Sequence, residues 1–229
     1  MLSILCVLRS GGVFDREYVY RLHNSVKRNL KIEHRFICLT DGLSDIKHGL
    51  KYNSATYFDP DYNIQWEPLL NGWPGWWSKA EIFRPDLEKY GRVFYIDLSA
   101  VIVGDITEMA SYEGLAVNKD FHLGCPSQSV LSLPPGALRV VWDTFKADPE
   151  KWMAEGDKCN APNFGDQILL NEIDIGEIAY FQDLFPGQLV SARRHCQSGL
   201  PDNARIVKFH GQPKPHTQDS IDWVSKHWK

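Results

Sequence analysis

The sequence predicts an α/β fold built on a mostly parallel central sheet flanked by helices, and three segments carry that expectation. Leu2 to Leu8 is an unbroken apolar run that stops at Arg9-Ser10-Gly11-Gly12, the pattern of a strand buried on both faces and followed by a loop. Asp15 then stands where a helix cap is wanted, ahead of Tyr18, Leu22, Val26 and Leu30 at every fourth position, which makes one apolar stripe. Arg35 to Leu39 is the next apolar run, ended by Thr40-Asp41-Gly42. Strand, helix, strand at that spacing is a βαβ unit, which sets parallel strands side by side.

Beyond that unit the elements are read in chain order. Lys51 to Pro74 is rich in Asn, Asp, Pro and aromatics and reads as irregular loop. Ser78 is placed to cap a short helix over Lys79 to Phe83, broken near Pro85 because the residue before a proline avoids helical backbone. Arg92 to Ile96 is a strongly apolar strand running into Asp97, with a second short run at Val101 to Val103. Pro134-Pro135 opens a helix bearing Ala137, Val140, Val141 and Phe145, closed by Asp148-Pro149. Asp166 to Glu172 predicts a short helix, Ala204 to Phe209 a late strand, and Asp219 to Trp228 a terminal helix. With no repeat and no linker, 229 residues read as one domain spanning 1–229.

Composition narrows the function classes. Hydrophobic residues are 43% and charged residues 24%, an ordinary globular balance. The net charge of −4 argues against a nucleic-acid partner, which calls for a basic excess. Five cysteines form no CxxC pair, so a reducing compartment is the simpler reading. No apolar stretch approaches the roughly 18 residues of a spanning helix, and the N-terminal run lacks a basic n-region. The expectation is a cytoplasmic protein without a transmembrane segment.

The chemistry-bearing residues sit where strands end. Asp97 directly follows the apolar strand, so it directs a charge into the crevice at the carboxyl edge of the sheet; as a lone acid it reads as a cap or turn residue instead. A second strand end carries His210-Gly211-Gln212-Pro213-Lys214-Pro215. Asp166-Gln167 follows the Asn163-Phe164-Gly165 turn, where an acid also suits a helix start electrostatically. A G-x-G-x-x-G fingerprint is missing after the first strand, which argues against a Rossmann dehydrogenase. Trp66, Trp73, Trp76 and Trp77 are candidates for sugar stacking or, more simply, for core. Arg193-Arg194-His195 suits an anionic ligand or a solvated basic turn.

Together these segments resemble the GT-A glycosyltransferases of the glycogenin and lipopolysaccharide-galactosyltransferase type. There a strand ends in Asp-x-Asp and a late His-x-Gly-x-x-Lys-Pro loop returns to it. The likeness extends to Trp76-Trp77-Ser78-Lys79 and to Gly165-Asp166-Gln167 with Asn171, and so spans Leu5 to His216. It implies a single Rossmann-like GT-A domain that transfers a sugar, a hexose first of all, from a nucleotide diphosphate to a glycan or glycolipid acceptor with retention. It also implies site roles. Leu8, Arg9, Ser10 and Asp41 cup the nucleoside, although the glycines after Ser10 serve equally as a turn. Lys79, Asp97, Leu98, Ser99, Gly211 and Lys214 take the diphosphate and sugar, and Asp166 and Gln167 orient the reacting groups. Asp97 and His210 ligate Mn²⁺ or Mg²⁺.

The decisive triplet departs from the pattern. The triplet reads Asp97-Leu98-Ser99, and a serine hydroxyl is a weak ligand for a hard cation. Three outcomes stay open: a metal held by Asp97, His210 and the diphosphate, a metal-free enzyme using Lys and Arg, or a non-catalytic sugar-nucleotide or glycan-binding protein.

Overall fold

The computed structural model describes residues 1–42 and 56–229. The βαβ unit forms as the pattern requires. Strand β1 (Leu2–Leu8) is buried along its whole length, and helix α1 (Arg16–Asn29) starts where Asp15 accepts a hydrogen bond from the Tyr18 N–H at 3.3 Å. Strand β2 (His34–Thr40) runs parallel to β1, with Cys6 opposite Cys38. All five cysteines are free thiols.

The Lys51–Pro74 expectation is corrected. Residues 51–55 lie outside the described segments, but strands β3 (Tyr57–Asp59) and β4 (Ile64–Pro68) stand where loop was expected. Parallel pairing to β2 holds β4, whose Ile64 and Trp66 are fully buried. Its polar alternates mask the strand: Glu67 is also buried, accepting hydrogen bonds from the Tyr90 hydroxyl and from Thr56 Oγ1. Pairing and those side-chain partners satisfy polar groups that would otherwise oppose burial.

Two 3₁₀ segments, Gly75–Phe83 and Pro85–Tyr90, lead into β5 (Arg92–Ile96). Ser78 is not a cap. It lies inside the first segment and donates to the Gly75 carbonyl at 2.8 Å, because the turn begins earlier, at Pro74-Gly75. The break before Pro85 is as expected, with Arg84 extended. After β6 (Ala100–Ile102) the chain forms β7 (Ala116–Lys119) and β8 (Pro126–Leu133). The prolines at 134 and 135 form a turn, and the helix itself begins at Arg139 and ends at Ala147. It buries Val141 and Phe145 but exposes Val140. Asp148-Pro149 closes it and also starts another helix, Pro149–Gly156, whose cap is Asp148 on the Lys151 N–H.

The main sheet has the order β3-β4-β2-β1-β5-β8-β7-β9, with β9 at Ala179–Tyr180. Its centre, β4-β2-β1-β5, is parallel; β3, β8 and β7 make antiparallel joins, so the sheet is mixed at its flanks. Even-numbered residues of β1 face α1 and a second, three-stranded sheet, and odd-numbered ones face the 3₁₀ segments and the helix Arg139–Ala147. The second sheet orders β10 (Leu189–Ser191), β11 (Ile206–Lys208) and β6. There β11 pairs antiparallel with β6, Lys208 opposite Ala100. The late strand is thus shorter than 204–209, and the terminal helix runs Asp222–His227.

Candidate functional site

Carboxyl ends of parallel strands gather polar loops because the strand backbone is satisfied within the sheet and the loop beyond it is free to bind. A cavity of about 390 Å³ opens there, lined by the loop after β1, by Trp76 and Lys79, by Asp97 to Ser99, and by Lys214. A second cavity of about 250 Å³ adjoins it, sharing Ser10, Gly11 and Phe14 and reaching Leu8, Thr40 and Gly42. Between the β1 and β2 ends, Arg9 pairs with Asp41, and Ser10 donates its N–H (2.8 Å) and hydroxyl (2.5 Å) to the same carboxylate. Burial alone would raise Asp41, but the Ser10 hydrogen bonds and the Arg9 charge hold it below the ordinary carboxylate value.

Asp97 is fixed by its neighbours. Its N–H donates to the Ser129 carbonyl on β8 (2.9 Å), and its carbonyl accepts from Ala100 (3.0 Å), closing the turn into β6. The Tyr95 hydroxyl donates to its carboxylate at 2.6 Å. Lys79 Nζ reaches Asp166 at 2.8 Å and Asp97 at 3.8 Å. Asp166 is buried. Burial raises its pKa against the pull of Lys79, while the two carboxylates together push Lys79 above the usual lysine value despite its burial. Asp166 is therefore an internal partner of Lys79. Gln167 reaches Asp120 at 3.5 Å.

The turn that carries Asp166 rests on two glycines. Gly165 has a φ of +57°, open to glycine without strain. A Cβ on Gly156 would lie 2.4 Å from the Gly165 carbonyl and 2.7 Å from the Trp77 ring. Gly156→Ala is therefore expected to cost about 1–3 kcal/mol by overpacking and to disturb the Asp166 turn with it. Thermal unfolding followed by circular dichroism checks this, and an unchanged melting temperature would refute it.

The late loop packs beside the Asp97–Ser99 turn and brings Lys214 to the cavity. The Phe209 N–H donates to the Ser99 carbonyl (3.1 Å), which locks β11 beside the Asp97–Ser99 turn. Lys214 lies over the Phe14 ring with Nζ 5.3 Å from its centroid, and burial lowers its pKa. Gly211 turns the loop with φ +65°. His210, however, shares a 2.7 Å hydrogen bond between Nε2 and Ser191 Oγ, and its ring stacks on Phe121. Burial, with the nearby Lys208 charge, pushes His210 down to about 4.

The Mn²⁺ or Mg²⁺ that the resemblance implies meets a poor donor set. Asp97 faces an ammonium, Ser99 offers a neutral hydroxyl, and the His210 nitrogen is engaged by Ser191. Among the described residues, no group of three or more His, Cys, Asp or Glu side chains converges as metal ligands. A hard divalent cation wants several oxygen donors, and the residues as placed do not fit one.

Several site neighbours were not singled out from the sequence. Lys208 is 8% exposed and donates from Nζ to Ser127 Oγ at 3.2 Å; its signal was a lysine inside an apolar strand. Gln128 donates to the Asp166 carbonyl, and Asp120 accepts from the His122 and Leu123 N–H groups; nothing in their local sequence marks them. Trp66, Trp73 and Trp77 are core, leaving Trp76, half exposed, on the cavity wall. Arg193 and Arg194 are not a free basic turn: they donate to the carbonyls of Gln212 and Phe121, tying two loops together.

No protein-family profile and no curated protein sequence matches the chain. Solved structures do. An active-site mutant of LgtC is similar with a TM-score of 0.64 at 15% identity, covering 98% of this chain and 93% of that one. The galactosyltransferase LgtC in complex with donor and acceptor sugar analogues gives 0.62 at 14% identity, covering 99% and 96%. The glycosyltransferase GlyE of Streptococcus pneumoniae TIGR4 gives 0.65 at 15% identity, covering 100% of this chain and 62% of that one. The fold of this chain is that of the GT-A glycosyltransferases.

Proposed function

We propose that the chain, as one domain over 1–229, transfers a sugar from a nucleotide diphosphate to a glycan or glycolipid acceptor, with retention. The hexose assignment and the cytoplasmic location belong to the same reading. No helix among the described residues is long and apolar enough to cross a membrane. One observation carries the proposal: Lys79, Asp97 and Lys214, from three distant segments, meet in one cavity at the carboxyl edge of a GT-A sheet.

In this reading Leu8, Arg9, Ser10 and Asp41 hold the nucleoside, and Lys79 and Lys214 face the diphosphate. Fixed positive charge there stabilises the negative charge that develops on the leaving group. Gln167 and the Asp166–Lys79 pair position the donor sugar and the acceptor hydroxyl. Asp166 is buried against Lys79 and is not presented as a covalent nucleophile. The acceptor oxygen therefore attacks from the leaving-group side: its bond to the anomeric carbon forms, the bond to the phosphate oxygen breaks, and that oxygen takes the acceptor proton.

Lys214→Ala is expected to weaken nucleoside diphosphate binding about tenfold, or ~1.4 kcal/mol, with nucleoside monophosphate nearly unaffected. Titration calorimetry with both ligands tests this, and equal losses would remove Lys214 from the outer phosphate. Release of nucleoside diphosphate from sugar nucleotides tests turnover. Ser99 favours the second reading, a non-catalytic binder, and binding without any release of product would establish it.

A further inference from the structure

We propose that Lys208 is the resident cation of the diphosphate site, standing in for a divalent metal, so that nucleoside diphosphate binds without one. This rests on the donor-binding reading above and deepens it.

The placement comes first. Hydrogen bonding of Phe209 to Ser99, and pairing of Lys208 with Ala100, fix the Lys208 backbone beside the turn that ends β5. The side chain then crosses to Ser127 on β8. Two residues further along β8, the Ser129 carbonyl receives the Asp97 N–H, and the Ser127 and Ser129 hydroxyls lie 3.2 Å apart. Lys208 and Asp97 are thus anchored to one short stretch of one strand.

The charge balance comes second. Asp97, Asp120 and Asp166 all act electrostatically on Lys208, yet none forms an ion pair with it within 4 Å among the described residues. Lys79 brings a second ammonium to Asp97 and Asp166. A site with Asp at both ends of the triplet would carry one more carboxylate and call for a divalent ion. With Ser99 there, Lys79 and Lys208 offset two of the three remaining carboxylates, so an added divalent cation is held less tightly than at a triplet with two acids.

The third observation is the ammonium's own hydrogen bonding. An ammonium has three donors. Lys208 is more than nine-tenths buried and, among the described residues, donates to a single neutral oxygen, Ser127 Oγ. Burying a cation so incompletely satisfied is costly. Phosphate oxygens of a bound diphosphate supply both the missing acceptors and the countercharge.

The test titrates the chain with UDP and with GDP, in EDTA and in Mn²⁺. The wild type is expected to bind one of them with affinities within about threefold in the two buffers. Lys208→Met keeps most of the length of the apolar stem without the charge, and is expected to lose about tenfold or more in EDTA, with partial recovery in Mn²⁺. Lys208→Arg retains binding in EDTA. Wild-type binding that appears only with Mn²⁺ overturns the Lys208 assignment and leaves the donor-binding reading standing. Folded Lys208→Met with wild-type affinity in EDTA overturns it as well. If neither nucleotide binds in either buffer, the donor-binding reading itself fails and this inference with it. Should Lys208→Met not fold, Lys208→Gln takes its place: it keeps a neutral donor for Ser127 and is expected to show the same loss in EDTA, and wild-type affinity in EDTA would overturn the assignment.

Discussion

Glu81→Ala is expected to lower the unfolding free energy by about 3–5 kcal/mol, the range for removing one partner of a buried ion pair. Glu81 is fully buried and Arg84 nearly so. The carboxylate accepts from Arg84 Nη1 (2.7 Å), from the Leu70 and Asn71 N–H groups (2.8 and 2.6 Å), and from Asn71 Nδ2 (3.2 Å). Arg84 also donates to the Pro68 carbonyl at 2.8 Å. This one side chain therefore ties the chain after β4 to the 3₁₀ segment that carries Lys79. Without it, two backbone N–H groups lose their acceptor, and Arg84 keeps only the Pro68 carbonyl and the half-exposed Asp86 carboxylate at 3.0 Å. Glu81→Gln keeps the shape and one acceptor oxygen and is expected to cost roughly half as much. Urea unfolding of the three proteins measures this. A loss under ~1 kcal/mol for Glu81→Ala would mean that water reaches the pair.

Lys79→Met is expected to do two separable things. It leaves the Asp166 carboxylate buried without its cation, at a cost of about 2–3 kcal/mol, below the full figure because a fifth of the Lys79 side chain meets solvent. It also removes positive charge from the proposed diphosphate site. Adding Asp166→Asn should return most of the stability, since a neutral amide needs no counterion, but not the nucleotide affinity. Such non-additivity is the mark of direct contact. The pH dependence comes from the raised Lys79 pKa: the stabilisation is fully present below the ordinary lysine value and fades as pH rises through the folded-state value, in alkali. Equal stability of the single and double variants, by urea unfolding, would show that the two groups do not depend on each other.

Both predictions involve a segment that the sequence described poorly. The expected cap at Ser78 and the expected loop ahead of it turn out to be a longer 3₁₀ turn and a buried strand. Charge is normally solvated, and nothing in the local sequence marks Glu67, Glu81 and Arg84 as buried. They are buried here because each meets partners separated from it in sequence, as Glu67 does in Tyr90 and Thr56. Asp97, Lys79 and Lys214, which line one cavity, could be singled out because each sits in a short motif at a strand or turn end. Asp120, Gln128 and Lys208 were not, since their relevance arises only when β7, β8 and β11 come together.

The sequence by itself determined part of the local structure and the α/β class. Hydrophobic periodicity and turn residues act over a few positions, so β1, α1, β2 and β5 could be read in place. Tertiary structure alone decided the charge balance at the site. Whether Asp97 faces a metal or an ammonium depends on the register of β11 against β6, on the Ser191 hydrogen bond that occupies His210, and on the burial of Lys208. Those are long-range contacts, and the electrostatic energy of a side chain is set by the neighbours and the dielectric that the folded chain places around it.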